Sequence, residues 1–397
     1  MVRVASLFSQ LLSHFPRGEF QEIVVRHGGD RGAKGFTCWT QFVSMLFCHV
    51  ARADSLREIC HGLAGCVGKL RHLGVMRTPR KSTLSYANEH RSSKIYEDLF
   101  WAVLQRFRSD GLLGPRAKPL RFHNKLLSFD STTVSLCLSL FPWAKFRRAK
   151  GGVKVHVLLD HGDYMPAFIH ISEARRHDRM AAHLLKLPAG SIITCDRAYN
   201  DYALFSQWTE AGVFFVTRLK DNAVFEIVEE RTLPQNRNIL RDQIIRLSGA
   251  GAQDKCSHLL RRVVAWDPEH EREIALLTNH KDFGATTIAD TYRQRWQIEV
   301  FFKTIKQNLK IKTFVGVSEN ALRIQIWTAL IALLLLRFLH HLSKARWSLS
   351  NLAALLRLNL FTYRDLQQWI DDPFNLPLIE PIAASGQEFL PGLGQVG

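Results

Sequence analysis

Residues 126–134 read Leu-Leu-Ser-Phe-Asp-Ser-Thr-Thr-Val and place one carboxylate, that of Asp130, inside an apolar and β-branched run. This run predicts a β-strand over Lys125–Cys137. Downstream, similar patterns predict further elements, namely strands Val153–Asp160, Met165–Ser172, Ser191–Cys195 and Val213–Thr217 and helices Asp178–Leu187 and Asp201–Ala211. Three strands followed by helix, strand, helix and strand are typical of an α/β domain.

Strand patterns return after Asn222 in three runs, Ala223–Glu229, His258–Trp266 and Glu273–Thr278. They predict a β-rich insertion at about residues 219–283. A long helix is predicted next, over Ile288–Leu309. The most apolar stretch, Ile326–Leu336, is about half the roughly 20 residues that cross a bilayer, so we interpret it as a buried helix.

Two aspartates in the predicted strands each allow a structural and a chemical interpretation. Asp130 lies within an apolar strand, where a charged side chain is costly unless it is paired or bound to a metal ion. Taken alone, it is better explained as a strand-end residue bonded to a turn amide. Asp196 follows the strand Ser191–Cys195 and begins the sequence Asp-Arg-Ala-Tyr. A helix cap explains it equally well.

Glu299 is more informative, because its neighbours can be placed on a helix that turns by about 100° per residue. Four cationic or phenolic side chains share an arc of about 80° with it: Tyr292, Arg295, Lys303 and Lys306. The arc borders an apolar face made of Ile298, Phe301, Phe302, Ile305 and Leu309. A solvated stripe of ion pairs would explain the charges, but neither Tyr292 nor the adjoining apolar face.

Two strand-borne aspartates and one helix-borne glutamate form a set suited to phosphoryl transfer. Carboxylates are hard ligands that suit Mg²⁺ or Mn²⁺. Two such ions stabilise the attacking and leaving oxygens of an in-line displacement at phosphorus. Flanking cations can hold a phosphate backbone in place.

The spacing Tyr292-x2-Arg295-x3-Glu299-x6-Lys306 resembles the Tyr-Arg-Glu-Lys signature of DDE-class insertion-sequence transposases of the IS-four type. Three further blocks support the resemblance: Phe-Asp-Ser-Thr around Asp130, Asp-Arg-Ala-Tyr from Asp196, and Lys-Gly-Gly-Val-Lys-Val-His over residues 150–156. The likeness covers about Lys125–Leu342. The segment before it is similar, through less specific motifs, to the helical domain that precedes the catalytic domain in such transposases.

The resemblance implies an α/β fold with an RNase H-like (retroviral-integrase-like) catalytic domain and a β-rich insertion ahead of the glutamate helix. It makes Asp130, Asp196 and Glu299 the catalytic and metal-binding triad for two Mg²⁺ or Mn²⁺ ions. DNA contacts are expected from six side chains, those of Tyr292, Arg295, Lys306, Lys303, Arg197 and Lys154. The chain departs from relatives that form hairpin ends, which have a tryptophan just before Leu-Leu-Thr. Residues 272–278 read Arg-Glu-Ile-Ala-Leu-Leu-Thr instead.

Charge is the unusual feature of this 397-residue composition, since 53 Lys and Arg against 36 Asp and Glu give a formal net charge of +17. So basic a chain usually meets a polyanion, most often nucleic acid. Helices are predicted in the basic N-terminal part, at Thr40–Ala51, Ser55–Gly62 and Ser82–Arg108, with a basic connector at Arg71–Lys81. This arrangement favours a helix-turn-helix-like DNA reader. The alternative is an ordinary helical bundle with a basic surface.

Three segments are predicted: an all-α DNA-binding domain over residues 1–120, the catalytic domain over 121–345, and a C-terminal helical segment with a loosely ordered tail over 346–397. A Pro-containing linker, Gly114–Pro119, separates the first two. Seven cysteines without a Cys-x-x-Cys motif fit a reducing cytosol. We therefore expect a cytoplasmic, nucleoid-associated protein with no membrane partner.

These observations together predict a transposase that cleaves the ends of its own element and joins the freed 3′-OH to target DNA. The expected partners are the terminal inverted repeats, the target DNA and a second copy of the chain in a synaptic homodimer. Two alternatives stay open: a domesticated or inactive relative that binds DNA and regulates, and a metal-dependent nuclease of the same fold.

Overall fold

The computed structural model describes residues 5–66, 68–114, 122–136, 141, 143, 145–147, 150–174, 178–235, 238–309 and 314–374. Two sequence predictions lie largely outside these ranges, the linker Gly114–Pro119 and the tail that follows Asp371. In the described residues before 122, all the regular elements are helical: α1 (Leu7–Leu12), α2 (Arg17–Arg26), α3 (Cys38–Val50), α4 (Leu56–Ala64), α5 (Lys81–His90), α6 (Lys94–Ser109) and a short 3₁₀ helix, Leu70–Leu73.

The middle of the chain forms one mixed sheet. Its strands are β1 (Leu126–Leu136), β2 (Lys145–Arg147), β3 (Lys150–Asp160), β4 (Met165–Glu173), β5 (Ile192–Cys195), β6 (Phe214–Arg218), β7 (Phe225–Glu230), β8 (Ile239–Leu247), β9 (Leu260–Asp267) and β10 (Arg272–Thr278). Their order is β2-β3-β1-β5-β6-β10-β9-β8-β7, and β4 also pairs with β3. The pairs β1–β5 and β5–β6 are parallel. This sheet confirms the predicted α/β class.

Helices accompany and follow the sheet: α7 (Asp178–Ala182), α8 (Tyr202–Glu210), α9 (Ala252–Lys255), α10 (Ala285–Arg293), α11 (Trp296–Asn308), α12 (Glu319–Leu342), α13 (Leu349–Asn359) and α14 (Leu366–Asp371). At several helix starts, a side-chain oxygen accepts a hydrogen bond from the backbone N–H three residues later. This bond satisfies one of the free donors of the first turn. Such caps come from Ser6, Thr37, Ser55, Ser318 and Ser348.

The β-rich insertion extends the sheet, because β10 pairs antiparallel with β6 and continues through β9 and β8 to β7. The sequence reading missed β8, whose exposed residues do not alternate regularly with its buried ones. A buried ion pair joins this strand to β9, with Arg261 Nη2 at 2.7 Å from Asp242 Oδ2. Arg261 also donates to the carbonyls of Lys281 and Phe283. The pair thereby ties the insertion to the segment that leads into α10.

The apolar helix α12 is the centre of the largest core, which confirms the predicted buried helix. By length and composition alone it could cross a membrane, but most of its residues are buried inside the protein. It packs against α3, α5, α6 and α13, and its Phe338 ring stacks on Phe107 at 4.6 Å. Each large apolar side chain buried in this way contributes about 1.5–3 kcal/mol. The core therefore crosses both residue 120 and residue 346, and the division into three domains stays a prediction.

The predicted helix Ser82–Arg108 is wrong as a single element, since α5 ends at His90 and α6 begins at Lys94. Asn320 of α12 satisfies the interrupted backbone. Its amide donates to the carbonyls of Asn88 and Arg91, and its oxygen accepts from the Ser93 amide at 3.2 Å. Asn320, some 230 positions away in the sequence, thus stabilises the break between α5 and α6. The local sequence therefore does not predict this break.

His49 gives the helical core a testable pH dependence. It lies fully buried on α3, with Nε2 3.0 Å from Thr328 Oγ1 of α12, and burial lowers its pKa to about 3. The folded pKa lies below the unfolded value of about 6.5. The stability that this site contributes is therefore complete above that value and is lost as the pH falls toward 3.

We expect His49→Gln, which keeps a polar group near Thr328 but does not titrate, to be less stable than the wild type at pH 7.5. The difference should shrink by up to about 1.4 kcal/mol per pH unit on acidification, because only the wild type must protonate a buried ring. Urea unfolding at pH 4.5, 5.5 and 7.5 measures it, with the exposed His72→Gln as control. A constant difference at all three values would contradict this role.

Candidate active site

The parallel pairing of β1 and β5 brings two of the three predicted carboxylates together. Phe129 pairs with Cys195 in this register, so the next residues are Asp130 on β1 and Asp196, which follows the end of β5 in extended conformation. Phe129 and Cys195 are fully buried in the same apolar cluster on one face of the sheet. Because side chains alternate along a strand, both aspartates face the opposite side. The side chains of Asp130 and Asp196 therefore lie close together on the face of the sheet opposite this apolar cluster.

The third carboxylate, Glu299, lies on α11, which packs against β1. The predicted continuous helix Ile288–Leu309 is wrong in one respect, because α10 ends at Arg293 and α11 begins at Trp296. At the junction the Arg295 amide donates to the Tyr292 carbonyl, three residues back, at 3.0 Å. This tighter turn replaces the regular α-helical bonds. The apolar face of α11 is nevertheless buried as expected, through Ile298, Phe301, Phe302 and Ile305.

Arg295 connects the strand and the helix. Its Nη1 lies 3.3 Å from Asp130 Oδ2, and its Nη2 lies 2.6 Å from Glu299 Oε1. The Arg295 side chain is 15% exposed, against 21% for the side chain of Asp130 and 36% for that of Glu299. A planar cation with several donors suits two carboxylates at once. Arg295 therefore forms a partly buried bridge between two elements, in contrast to the solvated stripe of ion pairs that was the alternative interpretation.

Asp130 has a strongly perturbed carboxyl group. Burial raises its pKa to about 6, and the charges of Asp196 and Glu299 act in the same direction. The Ser131 amide, 2.7 Å from Asp130 Oδ1, and the Arg295 guanidinium oppose the rise. Asp196 and Glu299 therefore both lie close enough to act on the Asp130 carboxyl group. Perturbed carboxyl groups of this kind are concentrated at functional sites.

A cavity of about 450 Å³ opens beside Asp130 and Glu299 and is also lined by Ser131, Thr132, Phe302, Lys303, Lys306 and Gln307. Lys303 is exposed and Lys306 is half-buried. Asp196 does not line this cavity, although its charge helps to raise the pKa of Asp130. Tyr292 lies at the end of α10, with its ring centre 5.7 Å from the Arg295 guanidinium carbon. Burial raises the pKa of Tyr292, and the charge of Asp196 adds to this effect.

The remaining two predicted DNA contacts are already paired with acids. Arg197 lies in the 3₁₀ turn after Asp196 and pairs with Asp221 at 2.8 Å in an exposed position. Lys154 is only 13% exposed and pairs with Asp178 at 3.0 Å. Asp178 also accepts a hydrogen bond from Ser131, the neighbour of Asp130, at 2.9 Å. Sequence reasoning missed Asp178, whose only local signal is an acid at the start of the short helix α7.

The donors at this site match the chemistry of a hard divalent cation, since all three acids offer carboxylate oxygens. Within the described ranges, however, no three Asp, Glu, His or Cys side chains are close enough to share one ion. The Arg295 guanidinium stands between Asp130 and Glu299 and neutralises them. The residue types fit a metal site, and Arg295 supplies the positive charge in this arrangement.

A mixed α/β sheet with two aspartates at adjacent strand positions and a glutamate on the facing helix fits an RNase H-like fold, the class that includes metal-dependent polynucleotidyl transferases. The chain belongs to the transposase DDE domain family, whose profile matches residues 122–335. It is thus a DDE-class insertion-sequence transposase, an enzyme that acts on DNA, and enzymes of this family use divalent metal ions. Residues 3–76 match a family described as a domain of unknown function (DUF4372).

Several bacterial proteins resemble the chain over much of its length. A protein of Sinorhizobium fredii named as a candidate transposase, y4zB, is 30% identical over 293 residues, 73% of this chain and 80% of the relative. A Geobacillus stearothermophilus protein assigned as the transposase of insertion sequence element IS5377 is 33% identical over 237 residues, 59% and 61% of the two chains. A Synechocystis protein assigned in the same way to IS4SA is 24% identical over 263 residues, 65% and 71%.

Arg295→Gln should destabilise the metal-free protein by about 1–3 kcal/mol at pH 7.5, because Asp130 and Glu299 lose the cation that they share. The loss of Arg295 raises the pKa of Asp130 further. The added cost therefore appears above that pKa and decreases as the pH falls through it. Urea unfolding in EDTA at pH 5 and pH 7.5 measures both effects.

Arg293→Gln is the matched control for this variant. Arg293 lies two residues away and pairs with Asp290 at 2.9 Å, but both side chains are more than 60% exposed. Its loss should cost less than about 0.5 kcal/mol at either pH. Equal losses of stability in the two variants would show that the contacts of Arg295 with Asp130 and Glu299 are worth no more than an ordinary surface ion pair.

Proposed function

We propose that Asp130, Asp196 and Glu299 are the catalytic carboxylates of this transposase and that they hold two Mg²⁺ or Mn²⁺ ions. The observation that carries the proposal is the convergence of three acids from β1, the end of β5 and α11, with one cation between two of them. Placing like charges next to a buried carboxyl group such as Asp130 is costly for folding. A ligand of higher positive charge, which binds all three, explains why they are placed together.

When bound, divalent ions at such a site stabilise the attacking and leaving oxygens of a phosphodiester displacement. The side chains of Asp130, Asp196 and Glu299 would hold the ions, and Arg295 would give up at least one carboxylate contact. Its guanidinium then becomes available to a phosphate oxygen, for which its planar donor set is also suited. Arg295 thus acts as an internal counter-ion in the free protein and as a DNA contact in the complex.

Three more cationic or phenolic groups border the same site. Lys303 and Lys306 line the cavity beside Asp130. The Tyr292 ring lies next to the Arg295 guanidinium, and the charge of Asp196 helps to raise its pKa. We assign Lys306 and Tyr292 to the phosphate near the scissile bond. Arg197 and Lys154 are weaker candidates, since each must leave an acid, Asp221 or Asp178, before it can contact DNA.

The wider activity follows from the same site and the basic N-terminal helices. The chain cleaves the terminal inverted repeats of an IS-four-type element, and the freed 3′-OH attacks target DNA, with a homodimer holding both ends. Residues 1–120 recognise the ends through α5 and the connector 71–81, and the protein works at the nucleoid in the cytoplasm. All three carboxylates of the set are present, which argues against an inactive regulatory relative. Strand-transfer assays distinguish transposition from plain nuclease activity.

Removing any one carboxylate should stop cleavage while leaving DNA binding largely intact. We expect Asp130→Asn, Asp196→Asn and Glu299→Gln each to lower single-turnover cleavage by at least about a hundredfold, because the metal-binding set is broken. The substrate is a labelled duplex of the DNA that flanks the gene, and binding is followed by gel shift. Asp290→Asn is the control, because Asp290 is an exposed acid on α10, the helix that precedes α11. Wild-type cleavage in EDTA would refute the metal mechanism.

Lys306 and Lys303 provide a second, graded test. Lys306→Ala should fold normally, bind the ends and cleave at least tenfold more slowly, since a phosphate contact made in the transition state is lost. Lys303→Ala, on the same helix and cavity but exposed, should have a smaller effect. Single-turnover rates at saturating Mg²⁺ and thermal melts measure both. Near-normal cleavage by Lys306→Ala would leave these lysines as a solvated helix face.

A further inference from the structure

A second cavity, of about 620 Å³, lies far from the carboxylates in sequence and within the N-terminal helices. One wall is the loop of residues 27–36 between α2 and α3, and the other is the exposed side of α5 with the turn that follows it. We call it the N-terminal groove. No Asp or Glu is among its described lining residues, whereas Arg31, Lys34 and Arg91 are. The lining itself is therefore rich in positive charge, and the acids that pair with Arg91 and His27, Asp30 and Asp98, lie outside it.

The loop wall is held firmly from beneath. The Asp30 carboxylate accepts the Cys38 amide at 2.6 Å and lies 3.6 Å from Arg91. Arg91 also donates to the Phe36 carbonyl and to Gln41 Oε1 at 3.3 Å. Gly29 fits so closely that a Cβ there would lie 2.6 Å from a methyl carbon of Ile95. The shape of the loop is thus fixed before any ligand binds.

The tip of the loop presents two exposed cations, Arg31 and Lys34. Neither makes an ion pair or a side-chain hydrogen bond with any of the residues that the structure describes, unlike Arg26 and His27 just before them, which both pair with Asp98. Gly32 and Gly35 have positive φ angles of 72° and 86°, and a Cβ at either would meet open space. A close approach to the backbone is therefore sterically allowed. Exposed cations on a firmly held loop, beside an open glycine backbone, suit a phosphate group.

The opposite wall carries an aromatic platform. The Tyr86 and His90 rings, one turn apart on α5, are stacked with their centres 4.0 Å apart and their planes 18° from parallel. Tyr86 is 65% exposed, although its bulk would favour burial. The Tyr86 carbonyl lies 2.9 Å from His90 Nδ1, which helps to fix the second ring. An exposed ring held in one orientation is suited to stack on a flat ligand.

We propose that the N-terminal groove binds an unpaired nucleotide of DNA, with Arg31 and Lys34 on its phosphates and the base stacked on Tyr86. This inference rests on the proposed function, which makes DNA the partner. Phosphates and an aromatic base together require the two features that face each other here, cations and a stacking surface. A cavity of this size has room for one or two nucleotides and not for a duplex. The site therefore distinguishes frayed or single-stranded ends from paired DNA.

The test measures binding of a fluorescein-labelled 20-nucleotide thymidine strand to the full-length protein by anisotropy, in EDTA, from 50 to 300 mM NaCl. In the double variant Arg31→Ala/Lys34→Ala, the fall of log K with log [salt] should become shallower. The magnitude of the slope should decrease by about 1.4, since each phosphate contact on a single strand contributes about 0.7. Tyr86→Ala should weaken binding about fivefold or more at every salt concentration, with an unchanged slope. Tyr86→Phe should stay within about twofold, because it keeps the ring.

Arg246→Ala/Lys255→Ala, two exposed cations of the insertion region, is the charge-matched control and should keep the wild-type slope. Equal slope losses in the two double variants would reduce the groove to general surface charge and overturn the proposal. Unchanged binding by Tyr86→Ala would also overturn it, because no base would then stack there. Metal-dependent cleavage by the wild type, assayed in parallel, keeps the outcomes separate: if cleavage persists while these binding effects are missing, only the groove is refuted.

Discussion

The bridge from Arg295 to Asp130 and Glu299 is the interaction on which this site depends. Two like charges at about 4 Å repel by about 4 kcal/mol at an effective dielectric of 20, so converging carboxylates need a cation. Arg295 supplies it from the turn between α10 and α11, and in doing so it joins the central sheet to the glutamate helix. The position of that turn determines both the geometry of the acids and their charge balance.

The rest of the fold supports this point of contact. Parallel pairing of β1 with β5 places the two aspartates side by side, while their neighbours Phe129 and Cys195 anchor the strands in the core. On the other side α12 carries the largest core and connects the N-terminal helices to α11 and α13. The basic N-terminal helices and the acidic site are consequently built around one apolar helix. This arrangement gives the basic helices and the acidic site one common structural frame.

Much of this could be predicted from sequence, because the signals are local. The apolar runs around Asp130 and before Asp196 indicated strands, and the period of residues 296–308 indicated which side of α11 is buried. The missed features depend on distant partners. The break before α6 is stabilised by Asn320, strand β8 depends on the buried pair of Asp242 with Arg261, and the turn at Arg295 contains neither Pro nor Gly. The pairing of Lys154 with Asp178 likewise could not be read from spacing.

We propose that the three carboxylates bind divalent ions in place of Arg295. Anomalous diffraction from crystals grown with Mn²⁺ and a DNA end tests it most directly. We expect Mn²⁺ peaks within about 2.5 Å of oxygens from Asp130, Asp196 and Glu299, with Arg295 turned away from at least one carboxylate and toward a phosphate. Crystals of a cleavage-competent complex in which Arg295 still bridges Asp130 and Glu299, with Mn²⁺ bound elsewhere, would contradict it.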